Sequence, residues 1–135
     1  MARPRHENPT PAELEVLQVI WDQGPSTVRE VMKVLNCQRP RAYTSIMSLM
    51  TIMAEKGQLS QKPRGRAFVY SAKVSRAKTQ SRMVRDLLSR AFDGSASALV
   101  TQLLQQAKPD SDELDEIRRT IAGFAQKEGG PRCHS

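Results

Sequence analysis

Two short stretches of this chain carry side chains whose types and spacing suit contact with a nucleic acid. In the first, Ala42-Tyr43-Thr44-Ser45-Ile46-Met47-Ser48-Leu49-Met50, a helical reading sets Ile46, Leu49, Met50 and Met53 on one apolar stripe. Thr44, Ser48 and Thr51 fall on the opposite face, with Ser45 and Met47 at its edges. That face holds no acid and no long charged side chain, whereas an ordinary solvated face is rich in Lys and Glu. Small hydroxyls can reach phosphates or base edges, and a methionine can pack on a thymine methyl, so the face suits the DNA major groove. Base contacts are expected from Thr44, Met47 and Ser48, with Tyr43 and Ser45 contributing. In the second stretch, Leu59 to Tyr70, Lys62, Arg64 and Arg66 crowd the turn of a hairpin. Clustered cations stabilise a fold very little, about 0–1 kcal/mol each even when paired. A phosphate backbone rewards them.

These side chains need elements to hold them. Thr10-Pro11-Ala12-Glu13 opens a helix with a capping box and a proline in the first turn, and Gly24-Pro25 ends it. Leu14, Leu17, Ile20 and Trp21 supply its apolar side. Thr27-x-x-Glu30 opens a second helix with Val28, Val31, Met32 and Leu35 in helical spacing. After a turn from Asn36 to Pro40, the third helix is expected from Arg41 to Lys56, stopping at Gly57. Phe68 and Tyr70 alternate with Val69 as a two-stranded ribbon requires. Three helices and a basic ribbon, in that order, read as a mostly α fold with a winged helix-turn-helix. Three further helices are expected: Ser75 to Ala91, one from Ser95 or Ser97 to Ala107, and one capped by Asp110 or Ser111 that ends near Gly123. The resulting organisation is an arm over 1–9, a winged helix over 10–73, a helical dimerisation domain over 74–124 and a disordered tail over 125–135.

Charge follows the same division. The chain of 135 residues carries a net charge of +7. Residues 1–92 hold 16 Lys/Arg against 7 Asp/Glu, a net +9, and residues 93–135 hold 5 against 7, a net −2. A polyanion partner for the first part is the natural reading. Catalysis is not expected: His6 and His134 lie in the polar ends, and most carboxylates sit at helix starts in capping and dipole roles. No cofactor is expected. No metal is expected either, because Cys37 and Cys133 form no C-x-x-C pair. Without a signal core or an apolar run of about 20 residues, the chain reads as cytoplasmic with no stable membrane insertion. The competing class is a winged helix that binds another protein and no specific DNA, and a salt titration of DNA binding separates the two.

The last three helices are short and amphipathic, with no further layer to cover them. Leu114, Ile117, Ile121 and Phe124 are spaced 3, 4 and 3 residues apart, a seam spacing. A homodimer would cover this surface, with Leu99, Leu103, Leu114, Ile117 and Ile121 as contacts or their support. It would also sum two half-sites on DNA. Folding back as a monomer is the alternative.

In order along the chain, Pro11-x-Glu13-Leu14-Glu15-Val16-Leu17-x-x-Ile20-Trp21, Ala42 to Leu49, Glu55-Lys56-Gly57, Gly65 to Ser71 and Ala98-Leu99-Val100 resemble the BlaI/MecI/CopY penicillinase-repressor family over residues 10–124. The resemblance implies a repressor that binds a dyad operator in double-stranded DNA as a homodimer. It also implies relief of repression by a membrane-bound sensor metallopeptidase, through cleavage in the fifth helix. Three positions depart from the family pattern. Ile52 stands where relatives carry an arginine that holds the helix on the backbone, and Arg39 or Arg41 is the expected substitute. Gln102-Leu103 replaces an Asn-Phe cleavage bond. Cys133 is the sole C-terminal cysteine, so the four-thiolate copper site of other relatives cannot form.

Overall fold

The computed structural model describes residues 8–128. The helices α1 (Pro11–Gln23), α2 (Val28–Leu35) and α3 (Tyr43–Glu55) are followed by β1 (Leu59–Arg64) and β2 (Ala67–Ala72), then α4 (Arg76–Ala91), α5 (Ala96–Ala107) and α6 (Ser111–Glu128). This is a mostly α chain with a two-stranded antiparallel ribbon, as its sequence predicts. Two compact units divide it at Asp86 and Leu87, within α4.

The first unit is the winged helix. Both expected capping boxes form. The Thr10 hydroxyl accepts from the Glu13 backbone N–H, and the Glu13 carboxylate accepts from the Thr10 N–H. Thr27 and Glu30 repeat the arrangement at α2. Such a cap contributes about 1 kcal/mol. Gly24, at φ +90°, closes α1 and donates to the Ile20 carbonyl. Leu17, Val31, Met50, Met53 and Leu59 meet in a fully buried core with Val16, Val28, Leu35, Ile46 and Tyr70. Each large side chain there removes roughly 1.5–3 kcal/mol worth of apolar surface from water. α3 starts at Tyr43 rather than Arg41 because the preceding backbone closes the turn. Ala42 is extended, and the Arg41 N–H donates to the Asn36 side-chain oxygen at 2.9 Å.

The ribbon pairs Leu59 with Ala72 through to Arg64 with Ala67. Its two-residue turn has Gly65 at φ +64°, which meets the φ requirement of a type II′ turn at its first position. Ser26 adds a short third rung: its backbone exchanges two hydrogen bonds with Tyr70, at 3.0 and 2.8 Å. Past the expected boundary at 73/74, the start of α4 is bonded to this unit. The Trp21 indole donates to the Val74 carbonyl at 3.0 Å, and Arg76 stacks over the Trp21 ring while pairing with Asp22. Thr79 is completely buried, and the Asn8 amide donates to Asp86.

The second unit holds the end of α4, α5 and α6. Ser95 caps α5 by accepting from the Ala98 N–H, and Lys108 ends it in a left-handed conformation. Asp110 caps α6 by accepting from the Glu113 N–H at 2.9 Å. α6 does not end near Gly123, and residues 125–128 are helical rather than part of a tail. A mid-helix glycine costs only about 1 kcal/mol against alanine. The acids of the first turn and Lys127 in the last both favour the dipole. Val100, Leu103, Ile121 and Phe124 are all 40 % exposed or more.

No helix among the described residues is long and apolar enough to cross a membrane. No group of three or more His, Cys, Asp or Glu side chains there could hold a metal ion. His6, Cys133 and His134 lie outside the described residues.

Candidate nucleic-acid interface

α3 buries Ile46, Met50 and Met53 and leaves Tyr43, Thr44, Ser45, Met47, Ser48, Thr51 and Ile52 exposed. Over Tyr43 to Ile52 the expected uncharged face is therefore at the surface, and Glu55, the last residue of α3, is an exposed acid on the same side. Leu49, expected on the buried stripe, is half-buried. The Thr51 hydroxyl donates back to the Met47 carbonyl at 2.8 Å, which leaves Thr44, Ser45 and Ser48 as the hydroxyls open to a partner.

The face is oriented by its two ends. At the far end, the buried Glu13 carboxylate accepts from the Lys56 ammonium at 2.7 Å, from the Gln58 amide at 3.2 Å and from the Thr10 N–H. Burial alone would raise the Glu13 pKa. The Lys56 hydrogen bond, the Thr10 N–H, the Gln58 amide and the Lys56 charge outweigh it and hold the carboxyl below its ordinary value. The start of α1 is thereby locked to the end of α3. The capping role of Glu13 is legible in sequence. Its buried partnership with residues some forty positions away is not.

At the near end lies Arg41. One arm of its guanidinium donates to the Leu35 carbonyl at 2.7 Å and another to Glu15 at 3.1 Å, and its side chain is only 10 % exposed. The guanidinium expected to contact DNA is thus engaged within the fold. A late carbonyl of α2 and a carboxylate of α1 both need a donor at the turn, and Arg41 supplies it. Arg39 keeps its head in solvent, 3.7 Å from the same Glu15 oxygen. It is the freer cation at this end.

Beside α3 stands the ribbon. Lys62 and Arg64 lie on β1 and Arg66 in the turn, all exposed, and none is ion-paired among the described residues. A cleft of about 570 Å³ separates the ribbon from α3 and the start of α2. Its walls include Arg29, Tyr43, Met47, Arg66, Phe68 and Tyr70, and no carboxylate lines it. Arg29 sits 5.3 Å from the centre of the Tyr43 ring, a cation–π contact. Neither Arg29 nor the exposed Phe68 was singled out by sequence, because only folding brings the start of α2 and the ribbon to one cleft beside α3. The arrangement presents cations on both banks of a groove and uncharged donors and apolar groups on one wall. That combination accommodates a phosphodiester strand and the base edges beside it.

Of the expected dimer contacts, Leu103 and Ile121 are exposed at 52 % and 57 %, while Leu99, Leu114 and Ile117 are half-buried within their own unit.

Comparison with known proteins supplies an identity for the chain. The chain is 30% identical over 112 residues to the transcriptional regulator BlaI of Mycobacterium tuberculosis, covering 82% of this chain and 80% of that protein. It is 26% identical over 110 residues to the penicillinase repressor of Bacillus licheniformis, covering 82% of this chain and 86% of that one. A transcriptional regulator from Thermotoga maritima shares the fold, with a TM-score of 0.51 at 15% identity over 91% of this chain and 80% of the other. The profile of the penicillinase repressor family matches residues 9–123. The chain belongs to the penicillinase repressor family.

Proposed function

We propose that this chain is a cytoplasmic transcriptional repressor that binds a dyad operator in double-stranded DNA as a homodimer. The observation that carries the reading is the pairing of an acid-free stretch of α3, from Tyr43 to Ile52, with three cations on the neighbouring ribbon, across a groove without carboxylates. In this reading Thr44, Met47 and Ser48 face base edges, with Tyr43 and Ser45 beside them. Lys62, Arg64, Arg66 and Arg29 hold the backbone. The family assignment supports the repressor role.

Dimerisation is supported by apolar side chains that the chain alone leaves in water. Val84, Leu87, Val100, Leu103, Ile121 and Phe124 are all exposed along α4, α5 and α6. Stable homodimers commonly bury more than about 2,000 Å² of such surface. Relief of repression by a membrane-bound sensor metallopeptidase fits the family resemblance. The bond at issue, Gln102–Leu103, lies in the middle of α5. Cutting it requires α5 to unwind locally.

The test is a binding titration of the full-length protein against operator fragments at several salt concentrations, with sedimentation in parallel. Specific DNA should be bound with log affinity falling by about 0.9 per phosphate neutralised. A protein-interaction module would bind no DNA at moderate salt, and that result would refute the reading. Monomeric sedimentation at micromolar concentration would refute the preformed dimer.

A further inference from the structure

We infer that this chain selects its operator through thymine C5-methyl groups, read by Met47 and Ile52 with the Thr51 methyl between them. The inference rests on the DNA-binding reading above and names what that same site selects.

The exposed side chains of α3 are Tyr43, Thr44, Ser45, Met47, Ser48, Thr51, Ile52 and Glu55. None is Arg, Lys, Asn, Gln or His. Singling out guanine or adenine in the major groove calls on a fork of donors and acceptors, Arg or Lys for guanine and Asn or Gln for adenine. This helix has no such fork. A hydroxyl both donates and accepts, so Thr44 and Ser48 tolerate either base pair. Discrimination must then come from shape and from apolar contact.

The apolar groups are present and unclaimed. Met47 is 44 % exposed and Ile52 48 % exposed, and neither belongs to the buried core. Thr51 has its hydroxyl bonded to the Met47 carbonyl, so its methyl is the group left for a partner. On the helix, Met47 and Ile52 flank the exposed arc and stand about 7.5 Å apart along the axis. The sole apolar group that base edges offer in the major groove is the thymine methyl. Glu55, the one acid on this face, follows Ile52 by about one turn and is the last residue of α3.

The experiment begins with selection of binding sites from random duplex DNA by the full-length protein. Each thymine of the selected half-site is then replaced in turn by deoxyuracil, which removes the methyl and nothing else. Affinities are measured by fluorescence anisotropy for the wild type, Met47→Ala and Ile52→Ala. Both substitutions are at exposed helical positions, and circular dichroism verifies that helical content is kept. Loss of one contacted methyl should weaken wild-type binding about fourfold. Each variant should become indifferent to the methyl its own side chain covers while still sensing the other. Selected sites that respond to no uracil substitution, or variants that keep every wild-type penalty, would overturn this inference and leave DNA binding standing. A selection that enriches no sequence would overturn both.

Discussion

Replacing Glu13 by Gln should weaken the fold by about 2 kcal/mol and flatten its response to acid. Glutamine is nearly isosteric and can still accept from the Thr10 N–H, so the capping box survives. What goes is the charge facing Lys56 at 2.7 Å. A hydrogen bond to a charged group contributes about 1.5–3 kcal/mol net. The lysine is 28 % exposed and the carboxylate 4 %, so the lysine can recover hydration in the variant, which argues for the middle of that range. In a unit this size such a loss lowers the Tm by about 10 °C. The pH dependence follows from the depressed carboxyl. Its contribution is complete above the ordinary value of 4.5 and disappears as pH falls through the lower folded-state value. The gap between wild type and Glu13→Gln should therefore be widest near neutrality and close on acidification below 4.5. Urea denaturation at a series of pH values measures this directly. Adding Lys56→Met isolates the pair, and the double variant should lose less than the two single losses together. A gap under about 0.5 kcal/mol, or one that does not narrow in acid, would show that the Glu13–Lys56 pair does not hold α1 to α3.

Other substitutions separate the roles assigned to the interface. Arg66→Ala should weaken specific and non-specific DNA binding alike and lower the salt slope by about one, measured by gel shift. Arg41→Met should do the opposite, costing about 1–3 kcal/mol of stability in urea by leaving the Leu35 carbonyl and Glu15 without their donor, with the salt slope unchanged. Ser48→Glu should abolish operator binding by setting a carboxylate against phosphates, while helical content and melting stay as in the wild type. Leu103→Asp should shift the protein toward monomer in light scattering, because a carboxylate in an apolar interface is costly. Operator affinity should fall by orders of magnitude as the two half-sites lose their linkage.

Much of the winged helix was legible in the order of residues. Capping boxes at Thr10 and Thr27 and the glycines at 24 and 57 mark helix ends through local chemistry, and the stripe of Ile46, Met50 and Met53 follows from period alone. Tertiary partners were not legible. Arg41 reads as a surface cation beside a recognition helix until folding places Glu15 and the Leu35 carbonyl within its reach. Arg29 reads as an ordinary helix charge until Tyr43 arrives beneath it. Gly123 reads as a stop signal, yet α6 runs on to Glu128, because Gly123 stays out of the left-handed region and keeps a helical backbone.

The rung between Ser26 and Tyr70 has a mechanical meaning for the ribbon. Tyr70 is buried at the ribbon's root, is bonded by its backbone to the α1–α2 junction and accepts through its phenol from Gln61 on the opposite strand. The ribbon therefore grows out of the core as a braced prong, and the gap between it and α3 is set during folding. On the DNA-binding reading, a protein with a fixed gap imposes its dimensions on the duplex. Any adjustment of groove width or curvature falls to the DNA, whose stiffness varies from one base step to the next. Base pairs that no side chain touches would then influence affinity, through how readily they bend.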